Sequence, residues 1–307
     1  MIVSIFDRQP LHPIVKEHAL IRSVLLSCPM TTQAIISLVA LLLILVAVVF
    51  RVLFWPRIRI TRIQKRAFPE SWHQKLIDRL PFVARIPLAE QEQLKFLIKV
   101  FLADKEFYGC AGQEIDDDIR VTVAAQACLL LLNQNRTPYP NLDSILIYPS
   151  TFVATREVAN ELGLVSTNHI AMLGESWSQG KVVLAWDNVK KGVMNLQDGQ
   201  NVVLHEFAHQ LDHESGSTNG APVLNTRGAY RSWAHVFSEE FEELQKDAVR
   251  GRHSLLDHYG ATNPAEFFAV ATETFFERPK EMAAYHQELY QQLKNYYKLD
   301  PGEWQQP

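Results

Sequence analysis

The sequence predicts an α+β chain, a helix-dominated domain with a small sheet, preceded by one transmembrane helix. Three observations carry this. Residues 34–50 (AIISLVALLLILVAVVF) hold no charged residue. Apolar residues recur at helical spacing through much of the chain beyond residue 70. The runs 144–148 (SILIY) and 181–186 (KVVLAW) are β-rich and bounded by turn formers.

The apolar run resumes after Arg51 through Val52, Leu53, Phe54 and Trp55. At about 1.5 Å per residue it is as long as a bilayer-spanning helix must be. It lacks the polar stripe that a buried core helix usually carries. Arg51, Arg57, Arg59, Arg62, Lys65 and Arg66 come next with no acid before Glu70, whereas the preceding tail mixes Arg8, Lys16 and Arg22 with Asp7 and Glu17. The positive-inside rule then places the C-terminal part in the cytoplasm, as a single-pass protein of the inner (cytoplasmic) membrane. A soluble cytoplasmic chain is the alternative. A cleaved signal peptide fits poorly, because the run is long, ends without a small-residue cleavage signature and precedes its basic cluster. Met30 stands directly before TTQAII and is an alternative start to Met1.

The expected organisation is a tail over 1–33, an anchor over 34–55 and one domain over 57–307, with no repeat or Gly/Ser linker inside it. Lys and Arg number 30 against 34 Asp and Glu, a net charge of -4, so no global basic field argues for direct nucleic-acid binding. Cys28, Cys110 and Cys128 lack CxxC spacing, which points away from a disulfide framework and toward a reducing compartment.

Within the domain, Trp72, Leu76 and Leu80 before Pro81, then Leu94, Leu97, Ile98 and Phe101, mark two helices. The segment 119–132 (IRVTVAAQACLLLL) is apolar nearly all round and reads as a buried central helix, with Cys128 a small packed hydrophobe. Gly174-Glu175-Ser176-Trp177, before Gly180, reads as a loop between the two β runs. A further helix is expected over 200–212, offering Val202, Val203, Phe207 and Leu211 to the core.

That helix carries His205-Glu206-Phe207-Ala208-His209, the H-E-x-x-H pattern, which sets two imidazoles one turn apart on one face. Such spacing suits adjacent corners of a tetrahedral Zn²⁺. Glu206, one residue round, faces the open position, where it can take a proton from zinc-bound water and deliver it to a leaving amine. Two histidines beside a glutamate on an apolar helix are costly to bury without a metal. The best third ligand is Glu266, in the stretch 259–270 (YGATNPAEFFAV). There Asn263 can cap a helix with Pro264 at its first position. Glu266 at the third position is nearly as well suited to a plain capping box, and its place downstream of H-E-x-x-H tips the balance toward a ligand. Glu273, seven residues on, is either an acceptor for a histidine N–H or a surface ion-pair partner. His213, His235, His253 and His258 are further histidines that could close a structural site, though each is better read as a surface or helix-end histidine.

The stretches 205–212 (HEFAHQLD), 259–277 (YGATNPAEFFAVATETFFE), 174–186 (GESWSQGKVVLAW) and 116–132 (DDDIRVTVAAQACLLLL) resemble the Mlc titration factor A family of glucose-regulated zinc metallopeptidases, and more distantly the catalytic domain of anthrax lethal factor. The resemblance implies a zincin-like fold, with His205, His209 and Glu266 as zinc ligands and Glu206 as general base. Lethal factor's oxyanion-stabilising tyrosine corresponds to Tyr259, which by its own chemistry is equally suited to simple packing. The implied activity is peptide-bond hydrolysis on a peptide or protein substrate, with an aminopeptidase-like activity as its narrower form. The implied alternative is a regulatory module that sequesters a transcriptional repressor, although a membrane anchor departs from that family's soluble pattern.

Overall fold

The computed structural model describes residues 31–134, 136–150, 152–159, 165–172, 174–177 and 180–304, with the backbone alone over 152–177. Cys28 and nearly all of the expected tail lie outside these residues. The chain divides into two compact units, residues 1–62 and 63–307.

In the first unit, α1 (Thr32–Leu53) begins where Thr31 Oγ1 accepts the amide of Ala34. None of its 22 residues is buried, and its mean hydropathy reaches 3.0 over an 18-residue window. It is long and apolar enough to cross a membrane, spanning about 33 Å against a hydrocarbon layer of about 30 Å. α2 (Trp55–Lys65) comes next and carries most of the basic cluster, with the Arg62 guanidinium 5.8 Å above the Trp55 ring.

The second unit is helix-dominated with a small sheet, as the sequence predicts. α3 (Glu70–Arg79) and α4 (Leu88–Asp104) pack on α5 (Asp117–Leu129). Asp116 caps α5 by accepting the Ile119 amide at 2.9 Å. The apolar run expected to stay helical to residue 132 leaves the α-helix at Leu129, and Leu130, Leu131 and Leu132 stay buried in the turn beyond it. Cys128 is fully buried, a packed hydrophobe as expected.

β1 (Glu106–Gly109), β2 (Ser144–Tyr148) and β6 (Lys181–Ala185) run parallel in that order. β5 (Gly174–Trp177) closes the other edge antiparallel to β6, with Gly174 opposite Leu184 and Trp177 opposite Lys181. The 174–177 segment is therefore a strand, contrary to the loop expected from its glycines. Backbone pairing to β6 overrides the weak local propensity of Gly174 and Ser176. β3 (Phe152–Ala159) and β4 (Val165–Met172) form a separate antiparallel pair.

After α6 (Trp186–Met194) comes α7 (Val202–His213), the helix expected over 200–212. Phe207 anchors it, with ring centroids 4.8 Å from Tyr139 and 5.7 Å from Phe101. α8 (Arg227–Arg250) ends on Gly251 in the left-handed region, and α9 (Pro264–Glu277), α10 (Pro279–Tyr285) and α11 (Gln287–Tyr297) complete the unit. α9 packs along α7, so two helices far apart in sequence share one interface.

Candidate metal centre

Helix α7 starts at Asn201, whose side-chain oxygen accepts the amides of Val203 and Leu204, both at 3.1 Å. Such a cap contributes about 1 kcal/mol. Val203, Leu204, Phe207, Ala208 and Leu211 enter the core. The opposite face presents His205 and His209, their ring centroids 4.8 Å apart.

Helix α9 brings the third group. Asn263 Oδ1 accepts the amides of Ala265 and Glu266, and Pro264 occupies the first helical position. The Glu266 carboxylate turns to the histidines, its Oε2 lying 3.0 Å from His205 Nε2 and 3.4 Å from His209 Nε2. The two Nε2 atoms are 3.2 Å apart. Ligands at about 2.0–2.1 Å from a tetrahedral zinc stand about 3.3 Å from one another. The triangle of donors thus has the edge lengths of a tetrahedral face, and these residues fit a metal ion. Among the described residues they form the one cluster of metal-type donors.

Charge within the cluster points the same way. Burial pushes His205 toward neutrality, but hydrogen bonds to the carboxylates of Glu266 and Glu273 outweigh it and raise the imidazole to about 10. Burial likewise raises Glu266, and the two histidines reverse this and bring its carboxyl down to about 2. The carboxylates of Glu266, Glu273 and Glu206 thus surround the imidazole with negative charge.

Glu273 is buried, so the surface ion pair that the sequence allows does not form. Its Oε1 lies 2.7 Å from His205 Nδ1 and its Oε2 accepts the backbone amide of Asn201. The Asn201 side chain donates to Glu277 Oε1 at 3.0 Å, and Gly199 donates to the other oxygen at 3.0 Å. Burial, the largest influence, lifts the Glu277 carboxyl to about 8. Sequence reasoning misses Asn201 and Glu277 as site residues. The available sign is an asparagine at the N-cap position and a glutamate four residues after Glu273, one turn along the same face.

Glu206 is buried beside this cluster, and its charge acts on both His205 and Tyr259. Tyr259 sits in a short 3-10 turn, is 56% exposed, and has its ring centroid 5.9 Å from that of His205. That exposure leaves little of the packing role open to it. The other histidines lie elsewhere: His213 meets Thr218 at 3.3 Å, His235 pairs with Glu239 at 3.4 Å, and His253 and His258 are exposed. Just past the second histidine, Asp212 is fully buried and accepts the amides of Gly220 at 2.7 Å and Ala221 at 3.0 Å. Gly220 adopts φ +78°, accepts Trp233 Nε1 at 2.9 Å, and touches the start of α9, where a Cβ would fall 2.3 Å from the Pro264 carbonyl oxygen. One glycine thus joins α7, α8 and α9.

The profile of the glucose-regulated metallo-peptidase M90 family matches residues 54–298. The chain belongs to that family. It is 39% identical over 262 residues to the Synechocystis sp. protein slr2042, covering 85% of this chain and 95% of that one. It is 31% identical over 232 residues to the Mlc titration factor A of Salmonella arizonae, with 73% and 89% covered. Against the Mlc titration factor A of Klebsiella pneumoniae it is 32% identical over 238 residues, with 75% and 86% covered. A metallopeptidase-type function follows from the M90 membership, and the His205, His209 and Glu266 group supplies the donors a metal requires.

Proposed function

We propose that this M90 protein is a zinc-dependent peptidase that hydrolyses peptide bonds. The anchor is residues 34–55, preceded by the tail 1–33, and the catalytic domain is residues 57–307, on the cytoplasmic side of the inner membrane. The observation that carries the reading is the donor triangle of His205, His209 and Glu266 with Glu206 buried at its side. These three residues would hold zinc, which when bound supplies a Lewis acid and acidifies a water toward neutral pH. Glu206, outside the triangle, takes the proton of the attacking water and passes it to the departing amine. Tyr259, exposed beside His205, donates its hydroxyl to the developing oxyanion. Glu273 fixes the tautomer of His205 by accepting its Nδ1 proton. Cleavage at free N-termini is the narrower, aminopeptidase-like form of this activity.

A second reading rests on the relatives named Mlc titration factor A. In it the chain binds a transcriptional repressor, and the metal serves structure or switching. The deciding experiment is zinc content and peptide hydrolysis of the full chain in nanodiscs beside Glu206→Gln, using substrates with free and blocked N-termini. We expect one zinc per chain in both proteins and hydrolysis in the parent alone. Equal hydrolysis by both would overturn the peptidase mechanism, and repressor binding retained in the variant would favour the second reading.

A further inference from the structure

Arg51, Arg57, Arg59, Arg62, Lys65 and Arg66 are all exposed, and no acid stands between Glu17 and Glu70. The other 24 Lys and Arg of the chain face all 34 Asp and Glu, so positive charge is gathered in this one segment and the remainder is acidic. A solvated helix face usually mixes the two signs. α8 does so, with Lys246 at 3.3 Å from Glu243 and His235 at 3.4 Å from Glu239. By contrast, Arg51, Arg57, Arg62, Lys65 and Arg66 form no ion pair among the described residues. Two of the guanidinium groups also reach back along the helix. Arg57 Nη1 donates to the Leu53 carbonyl at 3.4 Å, and the Arg62 guanidinium lies 5.8 Å above the Trp55 ring. Both charges therefore stand level with residues 53–55, where the apolar run ends, and Arg51 lies in the last turn of that run's helix.

We propose that these cations form a collar that binds the phosphate groups of anionic phospholipids in the leaflet where α1 ends. The proposal rests on the reading of α1 as a membrane span. A headgroup layer is about 5–8 Å deep on each side of the hydrocarbon. At about 1.5 Å per residue, Arg57 and Arg59 lie about 3 and 6 Å past Trp55 along α2, inside that layer. Arg62, about 10 Å along, brings its charge into the layer by folding back over Trp55, itself a residue type that favours the membrane boundary. Lys65 and Arg66 stand about 15 Å out or more, beyond a Debye length of about 8 Å, and contribute less. Five of the six cations are arginines, whose paired N–H donors match phosphate oxygens. A lipid surface, not a nucleic acid, is the partner that the placement favours. The Ile58 amide still bonds the Phe54 carbonyl at 3.0 Å across the junction of α1 and α2, so the collar continues directly from the apolar helix.

The test reconstitutes the full chain in phosphatidylcholine vesicles carrying a trace of spin-labelled phosphatidylglycerol or, as the control, spin-labelled phosphatidylcholine. The fraction of each label immobilised by the protein is read by electron spin resonance. The anionic lipid should be held about 5-fold more tightly, the effect of one basic residue near an anionic surface. Salt at about 1 M, where the Debye length is about 3 Å, should remove most of that preference. The double variant Arg57→Gln, Arg62→Gln should remove it at low salt while leaving the chain in the bilayer, because α1 is untouched. Arg227→Gln with Arg231→Gln, two exposed arginines of α8, should keep it. Equal retention of the two lipids by the parent overturns the proposal, as does a preference that survives the Arg57 and Arg62 double variant or is lost equally in the α8 control. A preference abolished by inorganic phosphate beyond the effect of chloride at equal ionic strength also overturns it, by making the collar a free-anion site. Release of the parent from the vesicles by alkaline carbonate overturns the anchor reading itself. Retention in the bilayer with equal affinity for both lipids overturns the collar alone, so the two failures are told apart.

Discussion

His205 Nδ1 lies 2.7 Å from Oε1 of Glu273, a buried carboxylate on the helix that also carries Glu266. One helix therefore touches both nitrogens of the same imidazole. Glu273→Gln keeps the size and removes the charge, so the histidine loses the partner that makes its Nε2 a better donor. Zinc affinity should fall about 10- to 100-fold, the usual cost of losing such a support. Competition with a fluorescent chelator measures it, and an unchanged affinity would show Glu273 to be a packing residue.

The roles of Glu206 and Tyr259 separate kinetically. Glu206→Gln should lower hydrolysis by roughly 10²–10⁴-fold with zinc retained, the span of one general acid–base group. Tyr259→Phe should cost about 10²-fold, near the lower bound for one oxyanion donor, and mostly in kcat rather than KM. A loss confined to KM would make Tyr259 a substrate-binding residue.

Glu277 gives a pH dependence of stability. Its carboxyl titrates near 4.5 when exposed and near 8 in the fold, because burial disfavours the charged form. Below the lower value both states hold the proton and the full contribution is present. Between the two the unfolded chain sheds the proton while the folded one keeps it, so stability falls as pH rises and the loss is complete above about 8. Melting curves of the parent and Glu277→Gln from pH 4 to 9 should show this slope in the parent and its loss in the variant.

The basic residues after α1 fix the expected orientation. A C-terminal reporter that is active only in the cytoplasm should be active here, and one active only outside the membrane should be silent. Reversal of charge at Arg57, Arg59 and Arg62 should weaken the preference.

Much of the site can be read in the sequence because its chemistry is local. The spacing of His205 and His209 needs only a helix, and the Asn-Pro start of α9 fixes where Glu266 sits on its own helix. The buried segment before residue 132 and the strands at 144–148 and 181–185 are equally plain, since their apolar patterns are continuous. What stays hidden depends on distant partners. Gly174 to Trp177 form a strand only because β6 offers an edge. Glu273 has two equal readings until α9 is laid along α7, and Asn201 and Glu277 acquire a role only through that contact. Tyr139, fully buried at φ +45° with its hydroxyl on the Ala127 carbonyl, carries no local pattern that marks it as core.

The three-way contact at Gly220 bears on when the site comes into being during synthesis. His205 and Glu266 are 61 residues apart, and α8 must be made between them. A nascent chain released only through α8 has both imidazoles in hand, yet neither the third donor nor the Pro264 carbonyl against which Gly220 closes. The three groups that would hold a cation therefore meet only in a chain that already includes α9. A product truncated before that point should leave the cell's free metal untouched.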